Sequence, residues 1–476
     1  MRPARLLPLI VACALFIENM DSTVLSTSLP AIASDLATNP IALKLALTTY
    51  LLSLAVFIPV SGWVADRFGA RPTFMTAISV FLAGSLACAA SGSLGSLVAA
   101  RFLQGMGGAM MVPVGRLVLL RTVPKNELVQ ALSWLTIPAL LGPVVGPPLG
   151  GFITTYFHWR WIFLINVPIG LLGIGLAKRF IPDIREEAPP LDWVGFLLAG
   201  GGLGLAMFGL STFGRHLVPL EIAAAALAVG VAALAGYVVH ARRHPRPLLD
   251  LGLFRLVTYR VGILGGTLFR IGIGSTPFLL PLMLQLGFGL SPVQSGMLTF
   301  TSVIGAIFMK TLAARVLKRF GFRRVLVVNA LVASALLCSF GLFRPSTPSI
   351  VILATLLVSG FFRSLQFTSL NAISYAEVDP PRMGQASSMA GMLQQLSLAL
   401  GVAIGGYLLE VLGLITNRPA TDVHNFYLAF VGVALISATS AWVMYRLPRN
   451  AGAEMAGRAR PGKEVAEPKP AQLPAT

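Results

Sequence analysis

Apolar runs of about twenty residues follow one another along the chain from residue 7 to residue 446, and short polar or charged segments separate them. A helix rises about 1.5 Å per residue, so a run of roughly 20 residues spans the hydrocarbon core of a bilayer. The pattern predicts helices near 7–28, 43–64, 73–91, 97–120, 129–153, 160–181, 193–213 and 218–240, then near 258–285, 292–317, 324–343, 348–368, 384–412 and 424–446. These make fourteen, and the division of 193–240 into two spans rests on the polar break at Gly214, Arg215 and His216. Unpaired backbone is too costly in lipid and the two-residue alternation of a barrel strand is absent, so the expected fold class is an all-α integral membrane protein.

The pattern also repeats. The segment after the second span reads Asp66-Arg67-Phe68-Gly69-Ala70-Arg71, and the one after the tenth reads Lys318-Arg319-Phe320-Gly321-Phe322-Arg323-Arg324. Phe, Gly and Arg recur at matching places, so a second copy begins at the ninth span. The expected organisation is an N-terminal six-helix half over 1–185, two inserted linker helices over 186–247 and a C-terminal six-helix half over 248–446. Residues 447–476 are rich in Ala, Pro and charge and are expected to form a disordered cytoplasmic tail.

Composition supports a membrane as the solvent: 55% of residues are hydrophobic and 11% charged, against roughly a quarter charged in soluble domains. The net charge of +18 would suggest a nucleic-acid partner in a soluble protein, and its distribution removes that reading. If the N-terminus is cytoplasmic, the inner loops hold 20 Lys and Arg residues between Arg2 and Arg382, whereas the outer loops hold Lys44, Arg160, Arg215, Arg344 and Arg418. This is the positive-inside asymmetry, and the basic tail falls on the same side only for an even number of spans. The expectation is a multi-pass protein of a bacterial inner membrane with both termini cytoplasmic and lipid as its surroundings. The first run resembles a signal-peptide core, but it contains Glu18 and Asp21 and no small-residue cleavage pattern follows, so it reads as a retained span.

Glu18 and Asp21 lie three residues apart on one helix face. A charge near the bilayer centre costs at least about 2.5 kcal/mol on insertion scales, which makes these carboxylates functional candidates. A carboxylate in a poorly hydrated cavity suits a reversible proton carrier, and a nearby cation can tune it. Arg101 begins the fourth span from the side on which Asp21 lies, so the two can pair. Arg270, Gln285, Asn371 and Gln394 are candidates to line a central cavity from the second half, together with Arg363, Gln366 and Gln395. Cys13, Cys88 and Cys338 lie inside apolar runs without zinc-site or disulfide spacing, and the five histidines fall in or beside loops. No metal, cofactor or catalytic residue is expected, and no phosphate loop for ATP hydrolysis is present.

Several segments carry a family resemblance over nearly the whole chain. Gly62-Trp-Val-Ala-Asp66-Arg67-Phe-Gly69-Ala-Arg71 resembles motif A of the major facilitator superfamily. Arg101-Phe-Leu-Gln104-Gly105 resembles motif B, and Gly142-Pro143-Val-Val-Gly146-Pro147-Pro148-Leu-Gly150-Gly151 resembles motif C of antiporters. With Asp21-Ser-Thr-Val-Leu-Ser-Thr-Ser-Leu-Pro30 and Trp159-Arg-Trp-Ile-Phe-Leu-Ile-Asn166-Val-Pro168-Ile-Gly170, they resemble the fourteen-helix drug:proton antiporter branch of EmrB and QacA type. The run from Gly107 to Leu117 is similar to multidrug transporters of the MdtD type.

The resemblance implies the major facilitator fold and assigns proton coupling to Asp21 and Arg101, with Glu18 a departure from the usual uncharged residue. It implies a latch of the outward-facing state at Asp66, Gly69 and Arg71, with Gly62 and Arg67 beside them. Physically, Asp66 at a helix end can hold the positive N-terminus of a helix in the other half. Gly142, Pro143, Gly146, Gly150 and Gly151 would permit close packing or bending, and motif C is associated with exporters. The expected function is proton-coupled antiport of drugs or other amphipathic compounds by alternating access, by a monomer. The alternatives are export of an endogenous metabolite or iron chelator, and a non-transporting sensor or scaffold. The partners are then the proton and a small-molecule substrate, and any adaptor protein would dock on short loops.

Overall fold

The computed structural model describes residues 3–123, 125–186, 190–212 and 219–455, with side chains described throughout except at 3–6, 125–140 and 381. No strand occurs among the described residues. Among the described residues, thirteen helical segments are long and apolar enough to cross a membrane: α1 Leu7–Thr27, α2 Pro40–Phe68, α3 Ala70–Ala89, α4 Leu94–Thr122, α6 Trp161–Phe180, α7 Trp193–Thr212, α8 Leu220–Arg243, α9 Val257–Gly287, α10 Pro292–Phe320, α11 Phe322–Phe340, α12 Ser349–Ser374, α13 Met383–Thr416 and α14 Val423–Tyr445. The 32-residue helix α5, Lys125–Tyr156, stands between α4 and α6 and completes fourteen. The polar break assigned to residues 214–216 lies outside the described residues.

Local chemistry sets where the helices begin and end. Ser93 and Ser96 form a capping box at the start of α4, and Ser291 and Gln294 form one at the start of α10, where Pro292 occupies the first turn without wasting a donor. The two repeat loops turn in the same way. Gly69 has φ +99° and Gly321 has φ +77°, and each donates its amide to the carbonyl four residues back, Ala65 and Leu317. Only glycine adopts such a φ without strain, so the recurrence of Gly in the two motifs reflects one backbone solution used twice.

The two halves pack alike. In the first, α1 packs on α5, α2 and α3 on α4, and α6 on α1 and α3; in the second, α9 packs on α13, α10 and α11 on α12, and α14 on α9 and α11. The halves meet where α2 lies against α13 and α5 against α10. Helices α7 and α8 pair with each other, and α7 rests on α2. The outward faces remain apolar: Leu197 is 67% exposed, Trp442 66% and Leu414 78%. Faces of this kind across a helical bundle match a lipid environment.

The glycines of α5 explain how α1 approaches it. A Cβ at Gly142 would stand 2.9 Å from the Met20 amide and the Phe16 carbonyl, one at Gly146 2.0 Å from Thr23 Oγ1, and one at Gly150 2.4 Å from the Val24 carbonyl. The spacing of four places all three on one helix face, a groove into which α1 sinks. Gly151, on the neighbouring face, does the same for the second half, 2.4 Å from the Pro292 carbonyl. The helix runs unbroken through Pro143, Pro147 and Pro148.

The bundle has a basic end, where α2 turns into α3, and an opposite, sparsely charged end. At the sparse end the halves are joined. Lys44 Nζ lies 3.3 Å from Glu410 on α13, Gln285 Nε2 donates to the Thr27 carbonyl at 2.9 Å, and the Val293 amide donates to Thr155 Oγ1 at 3.1 Å. Lys44 is fully buried, its stem lying where a Cβ on Gly406 would be. The segment 447–455 departs from the expectation of disorder: Leu447 is 1% exposed, and Gly452 (φ +67°) sits against Phe322 and Ile373. Leu447 and Gly452 pack these residues against the second half, whereas 456–476 lie outside the described residues.

Candidate functional site

The centre of the first half holds a closed polar cluster. Asp21 on α1, Ser85 on α3, Arg101 and Gln104 on α4, and Asn166 on α6 are each fully buried. Arg101 Nη1 donates to Asp21 Oδ2 at 2.5 Å and to Gln104 Oε1 at 2.6 Å. The other Asp21 oxygen accepts from Gln104 Nε2 at 2.8 Å and Asn166 Nδ2 at 2.9 Å. Ser85 Oγ lies 2.7 Å from Gln104 Nε2 and 3.1 Å from Asn166 Nδ2, and Cys88 Sγ approaches Gln104 Oε1 at 3.7 Å. Beneath the guanidinium, the Tyr50 ring lies 4.1 Å from Arg101 Cζ and contributes a cation–π contact.

The helix packing creates this arrangement. Gly84 lets α3 approach so closely that a Cβ there would be 2.5 Å from the Gln104 backbone, and Gly105 does the same for α2 at Tyr50 and Ser53. Gln104 is thereby pressed between α2 and α3, and its amide can reach both Ser85 and Asp21. A carboxylate receiving one charged and two neutral hydrogen bonds is held in one geometry, and in a dry interior each bond matters more than in water. Three atoms around the cluster, Tyr50 Oη, Arg101 Nη2 and Asn166 Oδ1, are buried without a partner. They are donors and acceptors available to a second arrangement of the same groups.

Glu18 lies one turn from Asp21, 8% exposed, with Asn19 Nδ2 3.3 Å from its carboxylate, and it does not join the Arg101 pair. At the basic end, Asp66 accepts from Arg121 Nη1 at 2.8 Å, and the same guanidinium donates to Glu186 at 2.9 Å. The side-chain partner of Asp66 among the described residues is therefore Arg121, in its own half. Gly69 has a second reason to be glycine, since a Cβ would meet Asp183 Oδ1 at 2.3 Å where the segment after α6 covers the loop. Arg67 is exposed and Arg71 half-buried. Gly62 faces open space, so packing does not require a glycine there.

The second-half candidates separate. Arg270 is 3% exposed, packs over Phe367 with Cζ 5.5 Å from the ring centre, and leaves Nε and Nη1 without partners. Gln285 Nε2 donates to the Thr27 carbonyl, a bond that joins the two halves. Gln366 is fully buried and bonded to Asn329 and the Leu326 carbonyl, a structural network inside the half. Asn371 is exposed and Gln394 half-buried. At the sparse end the Trp159-Arg160 segment ties the loops: Trp159 Nε1 donates to Asp35 at 3.0 Å and Arg160 Nη1 at 2.7 Å. These bonds hold the Asp35 carboxyl below its usual range.

Sequence reasoning did not single out Ser85, Tyr50 or the Lys44–Glu410 pair. Asn166 appeared only inside a motif. Its place beside Pro168 on an otherwise apolar span is the one available signal, a polar side chain in the membrane that must find a partner. No metal cluster was expected from the residue spacing, whereas the fold brings Asp192, His240 and His244 together, with one ligand atom from each lying within 4.8 Å of the others.

Two related helical bundles with lipid-facing apolar surfaces and a buried polar cluster in the first half define a multi-pass membrane transporter and not an enzyme. The chain belongs to the Major Facilitator Superfamily, whose family model matches residues 11–249 and 262–472. It is 38% identical over 444 residues to the "Putative multidrug resistance protein MdtD" of Escherichia coli (strain K12), covering 93% of this chain and 94% of that one. The same figures hold for the protein of that description from Shigella boydii serotype 4 (strain Sb227). Among solved structures, a D-xylose–proton symporter superposes with a TM-score of 0.68 at 15% identity, covering 94% of this chain and 98% of that one. A bacterial homologue of the human lysosomal transporter Spinster, inward-facing and unoccupied, gives 0.66 at 14% identity, covering 94% and 97%. At that identity the likeness is one of fold.

Proposed function

We propose that this protein exports amphipathic small molecules, drugs among them, in exchange for protons, working as a monomer in a bacterial inner membrane with its basic end and both termini in the cytoplasm. The observation that carries the reading is the fully buried Asp21–Arg101 pair with its Gln104 and Asn166 donors. Protonation of Asp21 removes the charge opposite Arg101 and turns an acceptor into a donor, so the four side chains must rearrange. Because α1 carries Asp21 and packs on α5, which meets α10 of the other half, the change has a route of contacts to the interface. The export direction is supported by the glycine groove of α5 and by the multidrug-resistance description of the relatives, and the orientation by the positive-inside asymmetry.

The joined sparse end fits one end of an alternating-access cycle, in which Lys44–Glu410, Gln285–Thr27 and Val293–Thr155 part when the protein opens on that side. The test is proton movement in inverted vesicles, followed with a pH-sensitive dye during addition of lipophilic cations and neutral drugs. A substrate-triggered flux in the wild type that Asp21→Asn abolishes is the expected result. Substrate transport that proceeds without proton movement, or proton flux unchanged in Asp21→Asn, refutes the coupling role.

A further inference from the structure

Outside the transport core, the linker pair carries a second set of chemistry-bearing residues. His240 lies in the last turn of α8, and His244 is the residue that caps the end of that helix with extended backbone, its amide donating to the His240 carbonyl at 2.9 Å. This end of the helix meets Asp192, the residue capping the start of α7, whose Oδ1 lies 2.8 Å from His240 Nε2. The two rings are nearly parallel, with centres 5.1 Å apart. One ligand atom from each of the three residues falls within a sphere of contact no wider than 4.8 Å. Arg246 donates its backbone amide to His244 Nδ1 at 3.3 Å, which leaves Nε2 of that ring free to bind elsewhere. The neighbouring Arg242 and Arg243 side chains are exposed, so they do not occupy the space between the ligands.

We infer that Asp192, His240 and His244 form a binding site for a divalent transition-metal ion of the zinc class at the basic end of the linker helices. Two imidazoles and a carboxylate are borderline ligands suited to Zn2+, and three protein ligands leave a fourth position for water. Ligand atoms about 2.0–2.2 Å from a tetrahedral centre stand somewhat over 3 Å apart. The present 2.8 Å between His240 and Asp192 therefore needs only a small opening to admit the ion. The outer support that metal sites require is already in place: Asp192 accepts from the Gly195 amide at 2.8 Å and the Leu248 amide at 3.2 Å. Through Leu248 the site reaches the segment that leads into the second half, so a bound ion clamps α7, α8 and that segment at one point.

The ion takes the place of the proton between His240 Nε2 and Asp192, which is released to solvent or taken up by Nδ1 of the same ring, and no redox step is involved. The site is independent of the proton-coupling reading, since none of its residues touches the Asp21 cluster.

The test uses the full chain purified in detergent with any polyhistidine tag removed. Titration with Co2+ and Zn2+ is expected to show one saturable site per chain, with the visible absorption of four-coordinate Co2+ and displacement by Zn2+. His244→Ala is the informative variant because His244 sits at the rim and its loss spares the Asp192 cap. It is expected to weaken binding by more than the roughly 10–100-fold that changes outside the ligand set cause. Zn2+ is also expected to raise the melting temperature of the wild type but not of His244→Ala. No saturable binding to the folded wild type, or binding unchanged in both His240→Ala and His244→Ala, overturns the inference.

Discussion

Replacing Asp21 by Asn cancels one charge inside the cluster that positions it, and a proton on Asp21 would cancel the same charge. Arg101 is fully buried, and its remaining contacts are neutral: Gln104 Oε1, the Ala46 carbonyl at 3.4 Å and the Tyr50 ring. The new amide has to turn its NH2 either toward Arg101 Nη1 or toward Gln104 Nε2 and Asn166 Nδ2, so a donor faces a donor in either orientation. In the second orientation, turning Gln104 to relieve the clash gives up its bond to Arg101. Removing one partner of a buried ion pair costs about 3–5 kcal/mol because the other charge is left uncompensated. The expected loss is therefore about two to three and a half orders of magnitude in the ratio of folded to unfolded protein, at about 1.4 kcal/mol per tenfold.

A thiol-reactive dye reads this in detergent, since Cys88 is fully buried within contact distance of Gln104 and becomes reactive when the cluster opens. The double variant Asp21→Asn with Arg101→Met removes the stranded charge as well, and most of the lost stability is expected to return. Destabilisation below about 1 kcal/mol in the single variant, or a double variant as unstable as the sum of the singles, would show that the pair is not what holds these helices together.

Three other outcomes follow from the geometry. Gly150→Ala places a methyl 2.4 Å from the Val24 carbonyl, a backbone atom that cannot turn aside. It is expected to cost about 1–3 kcal/mol in thermal stability and to abolish transport, whereas Gly62→Ala, which meets nothing within 4 Å, is expected to do neither. Lys44→Ala removes the ion pair to Glu410 across the halves, so a cysteine introduced at Thr155, opposite the Val293 amide, is expected to label several-fold faster with a hydrophilic maleimide. Unchanged labelling would separate that pair from opening of the sparse end. Asp35 has its pKa lowered in the folded state by Trp159 and Arg160, so its contribution is fully present above the ordinary carboxylate value of about 3.9 and declines as pH falls through the lowered value. The stability difference between wild type and Asp35→Asn is expected to be constant from about pH 5 to 8 and to shrink in stronger acid, which a pH series of melting curves checks.

The number and order of the helices were legible in the sequence because a membrane imposes a local rule: each span must satisfy its own backbone and present about twenty apolar residues to lipid. The recurring glycines of the two repeat loops were legible for a similar reason, since Gly69 and Gly321 end helices by the same short-range turn. Asp21 and Arg101 could be singled out one at a time because a charge in an apolar run is conspicuous by itself. Their partners could not. Ser85 and Tyr50 are unremarkable in a helix, and they matter only because Gly84 and Gly105 let α3 and α2 press against α4. Gln285 meets the Thr27 carbonyl, 258 residues away in the chain, a pairing that no local pattern announces. Lys44 and Glu410 are separated by 366 residues, and Asp192 and His240 by 48 with most of two helices between them. Hydropathy and motif spacing register what a residue requires of its neighbours along the chain. Which helix faces meet is decided by packing summed over the whole bundle, so the pairings across helices belong to the tertiary structure alone.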